Sequence, residues 1–246
     1  MEPLRINRFL ARCGLGSRRA VEALVRAGRV AVNGELESDL SRRIDPETDL
    51  VTLDGNEVRP AEVGRVLLLH KPTGVVSSLV RQDQRPCLLD LLPEEQRRTR
   101  LFHVGRLDHD SSGLLLLSDD GDLAQALLHP SRPVWKVYQL HVKPPLDETV
   151  LQRLADGGIE LDGRPVAAAR VKGLDSGPRH GRIEIALREG RNRQLRRMVE
   201  AVDARVVSLH RTAFGPLELG DLPAGALREA RADEYDRLRE ISGSQR

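Results

Sequence analysis

The chain carries 246 residues, 39% of them hydrophobic, enough for two modest cores or for one ordinary core with a small appended domain. Cys13 and Cys87 lie far apart with no CxxC spacing, which argues against a disulfide framework or a cysteine-rich zinc site; "MEPLRINRFLARCG" lacks the apolar core of a signal peptide, and no apolar run approaches the roughly 20 residues of a membrane span, so a cytoplasmic protein is expected. A net charge of +2 excludes a uniformly basic surface, so affinity for polyanions has to come from local clusters. Residues 4 to 12 predict a short helix ended by Gly14, and Ser17 is a suitable N-cap for a second, "RRAVEALVRA", that stops at Gly28. The period then changes. "RVAVNGE" and "DLVTLDGNEV" alternate around Asn33-Gly34 and Asp54-Gly55, which predicts strands joined by hairpin turns. Seven arginines face three glutamates from Met1 to Glu35. Val21, Leu24 and Val25 form the apolar stripe of the second helix, leaving Arg18, Arg19 and Arg26, with Arg29 and the turn at Asn33, on a face that can follow a nucleic-acid backbone. Any one of these arginines alone reads as a solvated surface charge.

"RPAEVG", residues 59 to 64, reads as a linker. "RVLLLHKPTGVVSS" follows as a buried strand broken at Pro72 to Gly74. "GLLLL" predicts a strand, Asp120 a cap for the helix "GDLAQALLH", "VWKVYQLHV" another strand, and "DETVLQRLADGG" a helix stopped by glycine. "GRIEIALRE" is a strand leading into the helix "RQLRRMVEAV", and "ADEYDRLREI" is a last helix before the tail "SGSQR", which is expected to be disordered. Hairpin signals such as Asp162-Gly163 exclude a purely parallel sheet, so the class is α+β.

Three segments carry candidate chemistry. In "VGRLDHDSSGLLLL", residues 104 to 117, Arg106, Asp108, His109 and Asp110 precede the leucines, and polar groups against an apolar strand need partners or a task. Asp-His-Asp suits a divalent cation, but neighbours in an extended segment point to opposite faces, so convergence on a metal is disfavoured. A turn bridge from Asp110 to Arg106 is the structural alternative. In "VWKVYQL" the period of two puts Lys136 and Tyr138 on one face and Trp135, Val137 and Gln139 on the other; such a tyrosine alone reads as core. In "REGRNRQLRR", residues 188 to 197, five arginines face one glutamate. The helix buries Leu195, Met198, Val199 and Val202 and leaves Arg193, Arg196 and Arg197 on the other side, where arginines and helix N–H groups suit an anion. The chain has four lysines, Lys71, Lys136, Lys143 and Lys172, so its cations are almost all forked guanidinium groups.

"RINRFLARCGLGSRRAVEALVRAGRVAVNG" resembles an S4 RNA-binding domain. "GRLDHDSSGLLLLSDDGDLAQALLHPSRPVWKVYQL" resembles the catalytic motif of the RsuA branch of the pseudouridine synthases, and "LLLHKPTGVVSS" and "LREGRNRQLRRMVEAV" are similar to that family's first and third motifs. The resemblance runs from about Leu4 to about Pro216 and implies two domains, an S4 unit over residues 1–60 and a catalytic domain over 61–246 with a mixed, largely antiparallel sheet flanked by helices. It implies isomerisation of a uridine within ribosomal RNA, with no cofactor and no metal. "LLHPSRPVWKVY" is closer to the enzymes of large-subunit RNA. Asp108 matches the catalytic aspartate acting on the ribose, Arg196 the arginine paired with it, and Tyr138 the tyrosine that packs on the uracil and is implicated in removing the carbon 5 proton. Arg106 matches a position that fills the space of the flipped base. Lys71, Lys136, Arg191 and Arg193, with Arg5, Arg18, Arg19, Arg29 and Asn33 of the S4 unit, are the expected RNA contacts. His109 and Asp110 fall at variable positions and receive no role.

The implied partner is ribosomal RNA, free or in an assembly particle, and the expected state is a monomer. Two rivals remain on the sequence. One is a ribosome-assembly protein that binds RNA without chemistry; the other is a metal-dependent hydrolase built on Asp108, His109 and Asp110.

Overall fold

The computed structural model describes residues 3–60 and 64–243. Half of the expected linker and the end of the expected tail, residues 61–63 and 244–246, lie outside the described residues. The chain divides into two compact units at residues 63 and 64, three residues beyond the boundary expected from the sequence.

In the first unit, β1 (Leu4–Arg5) leads into α1 (Ile6–Arg12) and α2 (Arg18–Arg26), followed by β2 (Val30–Val32), β3 (Glu35–Leu36), β4 (Arg43–Ile44), β5 (Val51–Leu53) and β6 (Asn56–Glu57). The first helix starts two residues later than its apolar pattern predicts because Leu4 and Arg5 pair with Ile44 and Arg43. Ser17 caps α2 by accepting from the Ala20 N–H at 3.1 Å. A small sheet runs β3-β2-β5-β6, and both of its tight turns have positive φ at two successive residues, Asn33-Gly34 and Asp54-Gly55. Ile6, Phe9, Leu10, Val21, Val25, Val30 and Ile44 are its buried core.

The second unit contains β7 (Val66–Lys71), α3 (Leu88–Leu91), α4 (Glu94–Arg97), β8 (Phe102–Val104), β9 (Ser112–Ser118), α5 (Gly121–Leu128) and β10 (Lys136–Lys143). It continues with α6 (Glu148–Ala155), β11 (Glu160–Leu161), β12 (Arg164–Pro165), β13 (Arg170–Ser176), β14 (Gly181–Leu187), α7 (Gln194–Glu200), β15 (Arg205–Phe214), β16 (Leu217–Glu218), β17 (Leu227–Glu229) and α8 (Ala232–Ser242). One sheet orders β13-β14-β10-β15-β9-β7-β17, with β16 beside β15 and β8 beside β9. Its pairings are antiparallel except β15 with β9, which is the mixed, largely antiparallel sheet expected from the α+β reading. Asp120 caps α5 as expected, accepting from Asp122 and Leu123 N–H groups at 2.9 and 3.1 Å.

The four leucines of β9 are buried to 0% exposure and serve two cores. Leu114 and Leu116 pack with residues of α5 and α8, whereas Leu115 and Leu117 pack with Leu88, Leu107 and Tyr138 on the opposite face. A strand covered on both sides reads as a continuous apolar run, and each leucine contributes roughly 1.5–3 kcal/mol by leaving water. On the Tyr138 face, β10, β14 and β15 bury Leu140, Ile185 and Leu209 beneath Leu154 of α6 and Leu195, Met198 and Val199 of α7. At β9 the sheet is thus packed against helices on both faces, and the polar stretch before β9 is delivered to the end of this interior strand.

Candidate active site

The residues between β8 and β9 form a turn, in which the Ser111 N–H donates to the Asp108 carbonyl at 3.1 Å. Three groups from the end of β7 and the segment after it hold its backbone. Ser77 Oγ donates to the Leu107 carbonyl at 2.6 Å and accepts from the Leu107 N–H at 3.1 Å. The Gly74 N–H donates to the His109 carbonyl at 2.8 Å. Lys71 Nζ donates to the Ser111 carbonyl at 2.8 Å and to its neighbour Pro72 at 2.9 Å. Beyond the turn, Gly113 has φ +112° because β15 runs against it; a Cβ there would meet the Arg211 carbonyl oxygen at 2.2 Å. Backbone clamps on both sides therefore fix where the Asp108 side chain starts.

That side chain faces a pocket of about 110 Å³ lined by Arg106, Asp108, Ser111, Tyr138, Arg193 and Arg196, with Leu107, Leu195 and Leu209 among its apolar walls. The three residues assigned to chemistry come from the β8–β9 turn, β10 and α7, and they converge here. The Asp108 carboxylate lies 3.8 Å from Arg193, beyond hydrogen-bond range, and a third of the side chain is exposed.

The Arg196–Asp108 pair expected from the resemblance is not formed. Arg196, 7% exposed, donates from Nη2 to the Asp110 carbonyl at 3.0 Å and to Ser111 Oγ at 3.3 Å, and the same nitrogen lies 3.1 Å from the Asp110 carboxylate. Its Nε has no hydrogen-bond partner among the described residues. Arg193, at a left-handed φ of 47° just before α7, spans Asp108 and Asp110. Asp110 is therefore a partner of arginines, though of Arg193 and Arg196 rather than of Arg106, which is exposed at the pocket edge.

The expected phosphate contacts separate. Lys71 is corrected: it is 0% exposed, and its ammonium is held by carbonyls, so it props the turn instead of reaching RNA. Burial pushes that ammonium down to about 8, with Asp108 and Asp110 pulling it up and Arg211 adding to the fall. Lys136 is half-buried, donates to the Arg188 carbonyl at 3.1 Å and lies over the Phe214 ring; burial, then Arg211, brings it also to about 8 against Glu189. Arg191 donates to the carbonyls of Leu161, Arg164 and Pro165, so it ties down the β11–β12 hairpin. Of the four, Arg193 keeps a half-exposed guanidinium at the pocket. In the first unit Arg5, Arg18 and Arg19 are exposed, while Arg29 pairs with Asp54. Asn33 bonds Asp49 and the Leu50 N–H at 2.9 Å each.

Two contributors were missed. Ser77 carried no sequence signal beyond a serine in a turn, and Arg211 lies on a strand that the apolar pattern did not reveal. Arg211 is 2% exposed, donates from Nε to the Leu114 carbonyl at 2.6 Å and has its guanidinium 5.9 Å from the Tyr138 ring centre.

Residues 65–201, more than half of the chain, match the RNA pseudouridylate synthase family. The chain belongs to that family. Residues 4–51 match the S4 domain. An uncharacterized RNA pseudouridine synthase of Mycobacterium leprae is 39% identical to this synthase, over 96% of the chain and 92% of the relative. The ribosomal large subunit pseudouridine synthase B of Bacillus subtilis is 35% identical over 97% and 96%. A crystal structure of a pseudouridylate synthase superposes with a TM-score of 0.69 at 29% identity, covering 96% of this chain and 99% of that one. In this pseudouridine synthase the pocket around Asp108 is the candidate centre for the chemistry.

Proposed function

We propose that this synthase isomerises a specific uridine of large-subunit ribosomal RNA, with Asp108 acting on the ribose. The convergence of Asp108, Tyr138 and Arg196 on one small pocket supports this reading above all else. The reaction balances without an oxidant or reductant: the bond from ribose carbon 1 to uracil N1 breaks, the base turns, a bond from carbon 1 to uracil carbon 5 forms, carbon 5 loses its proton and N1 gains one. Asp108 has a partly exposed carboxylate on a fixed backbone, which suits attack on or proton removal from the sugar. Tyr138 packs against the uracil and takes part in removing the proton from carbon 5. Arg196 acts by holding the turn through Asp110 and Ser111.

A uridine in folded RNA must leave its stack to enter a pocket of this size, at a cost of a few kcal/mol. Arg106, exposed at the pocket edge, stacks in the vacated space and offsets part of that cost. Arg193 serves the phosphates beside it. The S4 unit, taken as residues 1–60, binds structured RNA through Arg5, Arg18 and Arg19, with Arg29 and Asn33 shaping its hairpin turns, and residues 61–246 form the catalytic domain. The relative from Bacillus subtilis, named for the large ribosomal subunit and similar over nearly the whole chain, supports that target. The enzyme works as a monomer in the cytoplasm, on free RNA or an assembly particle.

Incubating the protein with unmodified large-subunit and small-subunit transcripts, followed by carbodiimide labelling and primer extension, tests the proposal. One new stop in the large-subunit transcript or its assembly particle is expected. Stops confined to the small-subunit RNA overturn the target, and stops in neither substrate overturn the activity.

A further inference from the structure

Trp135 is the sole tryptophan of the chain, and it stands one residue before β10 with two guanidinium groups over its rings. Arg170 and Arg188 each place their guanidinium carbon 4.3 Å from the centre of its ring system. The arrangement follows from the strand register. Arg170 pairs with Ala186 and Ala186 with Val137, while Arg188 and Trp135 extend the Lys136–Leu187 pair by one residue. Alternation along β10 and β14 turns Trp135 and Arg188 away from the Tyr138 face, and the small Ala186 leaves room for the stack. On that outer face Gln139, His141, Lys172 and Arg182 are exposed, so no helix among the described residues covers these positions of the sheet.

We propose that the Arg170–Trp135–Arg188 stack is a second RNA contact, a stacking platform for a single-stranded stretch flanking the target uridine. The proposal rests on the reading that the substrate is RNA. Charge supports that occupant. Among the described residues neither Arg170 nor Arg188 has a carboxylate partner, whereas Arg182 on the same face is tied to Asp175. Glu184 of β14 also lies on that face. Each guanidinium lies over the indole and belongs to an exposed arginine, so it is accessible to solvent and to a ligand. A base can stack on the outer face and a phosphate can accept from the edge, with little further ordering required.

Position supports the same occupant. Arg188 lies between Leu187 and Glu189, both of which line the catalytic pocket. The pocket rim continues through Gly190, Arg191 and Arg193. A strand whose uridine is in the pocket has only to cross this rim to reach the stack on the other side.

Fluorescence of the single tryptophan reports directly on the platform. The intact protein is titrated with a single-stranded oligouridylate and with an abasic oligomer of the same length, binding being followed independently by anisotropy of labelled oligomer. Quenching of Trp135 by the oligouridylate and not by the abasic oligomer is expected. A double variant, Arg170→Lys with Arg188→Lys, keeps the charge and loses the planes, and is expected to bind the oligouridylate about tenfold more weakly. Saturated binding with unchanged fluorescence overturns the proposal. So does equal quenching by both oligomers, or a double variant that binds as the wild type does. Release of tritium from RNA labelled at uracil carbon 5 is measured in parallel on the wild type. Release without quenching sinks the platform and leaves the synthase reading intact, and quenching without release does the reverse.

Discussion

Replacing Ser77 by alanine isolates the clamp that places Asp108. Ser77 and Leu107 are 8% and 6% exposed, and one hydroxyl satisfies both the carbonyl and the N–H of Leu107. Alanine leaves a buried donor and a buried acceptor without partners, each costing about 1–3 kcal/mol, so urea unfolding should show a loss of about 3 kcal/mol. Asp108 is the next residue, and a shift of about 1 Å in a reacting group costs on the order of 100-fold in rate. Single-turnover tritium release should therefore slow by about that factor while RNA affinity holds. Ser78→Ala is the control: Ser78 Oγ bonds the Val80 carbonyl in an exposed turn, and its loss should cost less than about 1 kcal/mol and leave the rate alone. Ser77→Thr keeps the hydroxyl and should recover most of the rate. A Ser77→Ala enzyme that loses the stability but turns over at the wild-type rate would refute the idea that this clamp positions the aspartate.

Gly113→Ala puts a Cβ 2.2 Å from the Arg211 carbonyl oxygen at a φ of +112°, so β9 and β15 must part; a loss of about 3 kcal/mol or more in urea is expected, and a change under about 0.5 kcal/mol would contradict the close approach. Lys71→Met removes a buried ammonium whose pKa falls from 10.5 to about 8. Below pH 8 the wild-type lysine is charged in both states and burial opposes folding; between about 8 and 10.5 the unfolded chain holds a proton that the native chain has released. Wild-type stability should accordingly rise across that window by up to about 3 kcal/mol relative to the variant, and parallel pH curves would count against the buried cation. Asp110→Asn removes a half-exposed partner of Arg193 and Arg196, so stability should move by no more than about 1 kcal/mol and tritium release by less than about tenfold. A loss as deep as that of an Asp108 variant would transfer the chemistry to Asp110.

Much of this architecture is legible in the sequence because it rests on local rules. Ser17 and Asp120 cap the helices they precede, Asn33-Gly34 and Asp54-Gly55 turn the hairpins, and the leucine run is a strand buried on both sides. The ten-residue β15 was not legible, since Arg205, Ser208, His210 and Arg211 interrupt its apolar pattern and long-range pairing with β9 and β10 supplies what propensity does not. The clamps escaped for the same reason. Lys71 looked like a surface cation after a strand, yet its acceptor, the Ser111 carbonyl, lies 40 positions away along the chain. For Arg196 the helix pattern gave the side that faces the site, but only the approach of α7 to the turn selects Asp110 over Asp108.

The central claim is that a carboxylate presented by this clamped turn carries out the isomerisation. Single-turnover release of tritium from RNA labelled at uracil carbon 5, run in chelator with wild-type protein and Asp108→Asn, tests it most directly. The account expects release by the wild type and a fall of about 1,000-fold or more in the variant, with folding and RNA affinity preserved. Release by Asp108→Asn within about tenfold of wild type would contradict it.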